Sequence, residues 1–354
     1  MTVLAPRPMA AELGASKPPL PRVDPITRLP ILILFPHSRC NCRCVMCDIW
    51  RGTTKNEISA HAVEGWVAEW RRIGVERVVL SGGEALLHSH LWELCDVLRD
   101  AGIGISILST GLLLRRHAAE LVQRCDDVVV SLDGPQPTHD QIRNVPRAFE
   151  RLADGVAAVK EANAAVQVSA RCTVQRANHT ALRATVTAAR DMGLDRISFL
   201  AADVSSDAFN RPDGWDDDHT QQVALSAEDV PALIEELEAL VRDHADDFSS
   251  GFIAESPAKL RRRLGQYYAA LLGDADFHPN ECNAPWVSSV IESDGTVRPC
   301  FFQPPLGKLE AGNSLSEIVN SPTAIAWRDQ LDVRTNAVCR RCVCTLSLRG
   351  PTKP

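Results

Sequence analysis

From about residue 30 onward, short apolar runs rich in strand formers alternate with longer stretches of helical periodicity, and this alternation restricts the fold more than any single residue does. The strand-like runs lie at 31–35, 77–80, 104–108, 127–132, 166–174 and 196–200. Helical patterns at 60–72, 91–101, 115–124, 147–162 and 180–192 fall between them. Strands separated by helices pair in parallel through right-handed crossovers. Six such units predict an α/β fold, a partial (β/α)6 barrel of the TIM type. Reactive groups of such barrels gather at the C-terminal ends of the strands, which tells where chemistry is to be sought.

Four regions follow. Residues 1–28, rich in Pro and Ala, read as a disordered arm; 29–245 as the barrel; 246–280 as a connecting helical region; and 281–348 as a separate small C-terminal α+β cysteine-rich module. Within the barrel, the acidic stretch 201–226 carries Pro212-Asp213-Gly214 and predicts a loop insertion after the sixth strand, followed by a helix at 227–243. Within the module, 287–292 and 296–300 flank the turn Ser293-Asp294-Gly295 and predict a hairpin, with a short helix at 315–331. A net charge of −7 argues against nucleic acid or an anionic membrane as the main partner. No apolar stretch approaches the ~20 residues of a membrane span, and no export signal is visible, so a cytoplasmic protein is expected. Arg261-Arg262-Arg263 reads as a solvated helix face.

Twelve cysteines in a reducing compartment suit metal rather than disulfides. Cys40, Cys44 and Cys47, spaced C-x3-C-x2-C, follow the first strand. Three thiolates are one ligand short of a closed four-coordinate site, and an open position is where chemistry happens. Cys42 lies off that spacing. Gly82-Gly83-Glu84 follows the second strand and Ser109-Thr110-Gly111 the third. A second group, Cys282, Cys300, Cys339, Cys342 and Cys344, points to a second metal centre. For each group alone, structural zinc is the competing reading.

The three-cysteine spacing together with Gly82-Gly83-Glu84 resembles the radical S-adenosylmethionine (SAM) superfamily. The resemblance implies a [4Fe–4S] cluster on Cys40, Cys44 and Cys47, with SAM chelating the fourth iron. It implies Gly82, Gly83 and Glu84 at the cofactor's ammonium, Met46 against the adenine in place of the family's usual aromatic residue, and Ser109 and Thr110 at the ribose. Ser131-Leu132-Asp133-Gly134-Pro135 with His139-Asp140 and Arg143 resembles a block of the subgroup that carries an extra cluster module. By that likeness Ser131 contacts the carboxylate or ribose and Arg171 pairs with the carboxylate, while a loop-capping role for Ser131 and Asp133 stays open. The C-terminal cysteines, with Gly295 and Gly312-Asn313, resemble a SPASM or shorter twitch module. Five cysteines imply one auxiliary [4Fe–4S] cluster on Cys282, Cys300, Cys339 and Cys342, with Cys344 spare or substituting.

Two further residues are candidates. Asp203, past the sixth strand, reads as a substrate contact or general base, or as a solvated loop carboxylate. Cys172, in the fifth strand, reads as a barrel-facing hydrogen donor or as a buried structural thiol. The resemblance implies hydrogen abstraction from an unactivated C–H bond. The short segment before the first strand favours a polar small molecule of sugar, cyclitol or nucleoside type, undergoing dehydrogenation or epimerisation. A peptide maturase and a non-catalytic zinc protein are the alternatives. Expected partners are the small-molecule substrate or peptide and an electron donor such as flavodoxin or ferredoxin.

Overall fold

The computed structural model describes residues 24–348. Most of the expected arm lies outside them, but its end is tethered rather than loose. Ile26 is buried, donates its N–H to Asn320 Oδ1 at 2.7 Å and accepts at its carbonyl from Asn320 Nδ2 at 2.9 Å.

Six parallel strands form in the predicted places: β1 (Ile31–Leu34), β2 (Arg77–Leu80), β3 (Gly104–Ser109), β4 (Asp127–Ser131), β5 (Gln167–Val174) and β6 (Arg196–Ala201). Between them run α1 (Ala60–Arg72), α2 (Leu91–Asp100), α3 (Leu114–Arg124), α4 (Gln136–Arg143), α5 (Ala148–Ala162) and α6 (Leu182–Asp191). Along β1, β2, β4, β5 and β6 one face is fully buried and the other only half-buried or exposed. Leu32, Val78, Val128, Val168 and Ile197 belong to the buried set and join the main core. The other, concave face carries Ser131, Arg171 and Ser198 as register partners across β4, β5 and β6.

The sheet does not close. Its order is β6-β5-β4-β3-β2-β1-β7-β8-β9, where β7 (Ser288–Ile291) pairs in parallel with β1, and β8 (Thr296–Arg298) and β9 (Gly307–Lys308) follow antiparallel. The C-terminal module joins the barrel through its first strand, which extends the barrel sheet. The physical reason is the outer edge of β1, whose backbone groups need partners that β7 supplies. All four residues of β7 are buried, as an interior parallel strand requires.

Three smaller differences have local causes. The stretch 201–226 contains a helix, α7 (Asp217–Val223), because Asp216 accepts from the His219 N–H as its cap. The helix expected at 315–331 is two, Leu315–Val319 and Pro322–Gln330, since Ser321 caps a new helix that Pro322 opens. The connecting region, expected to be helical, also adds an extended contact to the sheet, where Ile253 bridges Ile197 of β6 in parallel. After α8 (Asp229–Asp243), residues 257–272 make one helical run whose middle, Arg261–Gln266, is π-helical. Among the described residues no helix is long and apolar enough to cross a membrane.

Candidate functional site

The cysteine loop leaves β1 and is pressed onto the end of β2 by the two glycines. A Cβ on Gly83 would lie 2.2 Å from the Arg39 carbonyl oxygen, and one on Gly82, at φ +103°, would meet Phe35 at 3.0 Å. The Glu84 N–H donates to the same Arg39 carbonyl at 2.9 Å. What approaches the glycines is the loop itself.

Glu84 differs from the reading that gave it the cofactor's ammonium. It is fully buried, and its carboxylate accepts from Leu86 N (3.1 Å), Ser109 Oγ (3.0 Å), Thr110 N (2.7 Å) and Thr110 Oγ1 (2.6 Å). These protein donors take up most of the acceptor sites of the carboxylate. Burial still outweighs these donors and raises its pKa. Ser109 and Thr110, assigned to the ribose by the resemblance, hold Glu84 here, and Thr110 Oγ1 also lies 3.0 Å from Asn41 Oδ1. The three residues knit the ends of β2 and β3 together beneath the loop. Met46, expected against an adenine, is buried in an apolar cluster with Leu112, Ile142 and Ala148.

Electrostatics separate the four loop cysteines. Cys44 accepts a hydrogen bond from the Cys42 thiol, which is the largest influence on it, and Arg143 Nη1 donates to its Sγ at 3.5 Å. Its pKa is drawn down to about 7 despite burial. Burial pushes Cys40 and Cys47 up to about 12. Cys42 rises as well, first through its bond to Cys44. Burial opposes the charge of Arg143, but Asp133, Cys44 and Cys42 outweigh it and hold the guanidinium cationic. Arg143 sits 2.5 Å from Asp133, a residue with no exposed surface. The end of α4 also grips the loop through its backbone, with Arg43 N donating to Arg143 O and Val45 N to Ile142 O, each at 3.1 Å.

These residues fit an iron–sulfur cubane. Among the described residues no group of three His, Cys, Asp or Glu side chains is arranged to hold one metal ion. A cubane spreads its thiolates over different irons and asks for a wider set. Within the same loop the Asn41 amide nitrogen is buried without a partner, a donor aimed at nothing the protein supplies.

Arg171 and Ser131 stand side by side on the concave face, in register with Ser198. Glu255 accepts from Phe199 N at 3.1 Å, and Arg171 is among the charges acting on it. Cys172 is on the other side of β5, fully buried, with Asn178 Nδ2 at 3.6 Å. It is a core thiol, not a hydrogen donor to the barrel interior.

Asp203 is likewise no free base. It is buried and ion-paired with Arg211, and Ser206 donates to it. It anchors a clasp that sequence reasoning missed. The Arg211 guanidinium lies 4.4 Å from the Trp215 ring centroid and 5.1 Å from that of Phe209. Trp215 Nε1 donates to Asp48 Oδ2 at 2.6 Å, and Asp48 N donates to Phe209 O at 3.1 Å, directly beside Cys47. The Phe209 ring meets Phe301 at 4.7 Å, and Phe301 meets Phe35 at 5.5 Å, so the clasp also touches the residue next to Cys300. Phe209, Asn210 and Asp213 adopt positive φ to make this turn. The only sequence signal was Pro212-Asp213-Gly214.

In the C-terminal region Cys282 lies near enough to Cys300, Cys339 and Cys342 to act on the charge of each. Burial chiefly raises Cys300, Cys339 and Cys342, Cys300 to about 12, and Cys282 adds to the rise of each. Gln303 Nε2 donates to Cys339 Sγ at 3.3 Å, and Asn280 Nδ2 donates to the Cys339 carbonyl at 2.6 Å. Cys344 is exposed. Iron analysis after anaerobic reconstitution should therefore find Cys344→Ser unchanged and Cys342→Ser depleted at this site; the reverse order would exchange their roles.

Residues 34–200 match the family model for the radical SAM superfamily, and residues 282–343 match SPASM, an iron–sulfur cluster-binding domain. An AdoMet-dependent heme synthase of Methanosarcina barkeri is 29% identical over 177 residues, 48% of this chain and 49% of that protein. The chain thus spans about half the length of such curated relatives. The sporulation killing factor maturation protein SkfB of Bacillus subtilis is 25% identical over 324 residues, 90% of this chain and 70% of SkfB. Among solved structures, Streptococcus suis SuiB bound to its precursor peptide SuiA superposes with a TM-score of 0.61 at 14% identity, covering 90% of this chain and 71% of SuiB. The enzyme anSMEcpe with bound AdoMet and Cp18Cys peptide gives 0.61 at 19% identity, covering 88% and 87%.

Proposed function

We propose that this chain, which belongs to the radical SAM superfamily and carries a C-terminal SPASM iron–sulfur domain, modifies a peptide by removing a hydrogen atom from one of its C–H bonds. The radical SAM domain brings a [4Fe–4S] cluster and SAM, and the SPASM domain brings further iron–sulfur. When bound and reduced, that pair of cofactors supplies a 5′-deoxyadenosyl radical, the agent of hydrogen abstraction.

The observation that carries the peptide reading is the reach of the SkfB likeness. It runs through both domains, over 90% of this chain, whereas the heme synthase likeness covers 48%. A second reading, a polar small molecule undergoing dehydrogenation or epimerisation, draws on the half-buried polar row Ser131, Arg171 and Ser198. The zinc-only alternative falls with membership of an enzyme family.

In this reading Cys40, Cys44 and Cys47 would hold the barrel cluster. Cys44 is the thiol readiest to ionise, and Arg143 steadies it as a thiolate. The apolar cluster around Met46 keeps water from the loop's inner side. Arg171, beside Ser131, would take a carboxylate of cofactor or substrate. Cys282, Cys300, Cys339 and Cys342 would hold one auxiliary [4Fe–4S] cluster. A one-electron donor of the flavodoxin or ferredoxin class would serve both centres, and thiol-ligated iron suits a cytoplasmic location.

Anaerobically reconstituted, dithionite-reduced protein should form 5′-deoxyadenosine from SAM. Cys40→Ala/Cys44→Ala/Cys47→Ala should abolish this while keeping the auxiliary iron; persistent 5′-deoxyadenosine would sink the assignment of roles. Peptides encoded beside the gene should change mass on incubation, with deuterium passing from peptide to 5′-deoxyadenosine. If only a small molecule gives that transfer, the second reading replaces the first.

A further inference from the structure

Between the π-helical run and the C-terminal region lies a cavity of about 390 Å³, beside the group of C-terminal cysteines. Of the four clustered C-terminal cysteines only Cys342 reaches it, so it is not the space an auxiliary cluster would fill. Its lining holds four cations, Lys259, Arg262, Arg263 and Arg340, against one carboxylate, Glu281. In a chain of net charge −7 such a concentration of positive charge is a local inversion.

The three consecutive arginines expected to be a solvated face have three different fates. Arg261 turns away and pairs with Glu238 at 2.6 Å. Arg263 donates to the Val343 carbonyl at 3.2 Å and to Thr345, which ties the helix to the closing segment and leaves its charge uncompensated. Arg262 donates to His278 Nε2 at 3.3 Å, and His278 Nδ1 donates in turn to the Pro279 carbonyl at 2.8 Å. The ring holds Arg262 in place and offers it no carboxylate. Among the described residues neither Arg262 nor Arg340 has a carboxylate partner, and Lys259 reaches Glu255 only at 4.0 Å. Arg262 and Arg263 lie in the π-helical run Arg261–Gln266, and such turns recur at functional sites.

We infer that this cavity binds an acidic segment of the peptide substrate, away from the reacting C–H bond. The inference rests on the peptide reading for the identity of its occupant. Two or more carboxylates spaced along one chain match cations offered from both walls, Lys259 and Arg262 on the helix and Arg340 on the segment between Cys339 and Cys342. A segment held there lies against Cys342, on the route to the auxiliary centre, so it would lead the rest of the peptide toward the metal-bearing face.

The test uses reconstituted full-length protein and fluorescein-labelled hexaglutamate, with hexaglutamine as control, read by anisotropy. Hexaglutamate should bind in a salt-sensitive way and hexaglutamine should not. Lys259→Gln/Arg262→Gln should weaken hexaglutamate by about tenfold or more, as two charge-assisted contacts are lost. Iron content and absorption spectrum report whether that variant is folded, and Arg340→Gln alone is the second, gentler variant. Equal binding of the two probes, or unchanged binding in both variants, overturns the inference. The two proposals fail separately. A peptide modified equally well by wild type and Lys259→Gln/Arg262→Gln removes the cavity's role and leaves the peptide reading standing. Charge-dependent hexaglutamate binding with no peptide ever modified does the opposite.

Discussion

Replacing Gly83 with alanine should strip iron from the barrel site and leave the auxiliary site loaded. The new methyl would stand 2.2 Å from the Arg39 oxygen and 2.6 Å from the Arg39 carbonyl carbon. Both are backbone atoms, so no rotamer change relieves the clash, and the segment leading into Cys40 has to move. Overpacking of this kind costs about 1–3 kcal/mol, occasionally more. The cost falls on the one loop that presents Cys40, Cys44 and Cys47. Chemical denaturation should register the loss of stability, and iron analysis with the SAM-dependent change in the reduced cluster's spectrum should register the loss of the site. Gly83→Ala protein with full iron and an unchanged denaturation midpoint would show that the loop is not seated on the glycine.

The second large effect is expected from Arg143→Met. Methionine keeps much of the apolar stem but leaves Asp133 as a carboxylate with no exposed surface and no counter-charge. Breaking one side of such a buried pair costs about 3–5 kcal/mol. Removing both charges costs less, so Asp133→Asn/Arg143→Met should recover a large part of the loss by denaturation. The Cys44 side of the interaction should not recover, since its guanidinium donor is absent in both variants. The reduction potential of the barrel cluster should therefore shift in the single and the double variant alike. A double variant no more stable than Arg143→Met would mean that the guanidinium acts through packing and not through charge.

Much of the scaffold was legible because it is repetitive. The alternation of buried and half-buried residues along β5 and β6, and the helical spacing of α1, α3 and α5, set those elements within two residues of their observed ends. The short α4 was not legible as a helix, since Gln136-Pro137-Thr138-His139-Asp140 is polar and turn-like, and only its packing on the cysteine loop explains it. The metal-ligand spacings could be read in sequence because they are local. The roles of Glu84, Asp203 and Cys172 could not, since each depends on which partner arrives from a distant segment: Thr110, Arg211 and Asn178. A carboxylate at the active end of a barrel looks the same in sequence whether it awaits a substrate or is already matched with an arginine.

The pairing of β1 with β7 sets the order in which the molecule can be finished. The barrel's opening strand emerges early in synthesis, yet its partner across Ile31 and Ser288 is made roughly 250 residues later. Contacts so distant in sequence are late to form and slow to close. Until Ser288–Ile291 has been made, the edge beside the nascent cysteine loop stays uncovered and prone to pair with other strands. The seating of the cysteine loop is therefore tied to the arrival of β7, and a version truncated before Ser288 should emerge as an aggregate rather than as a smaller enzyme.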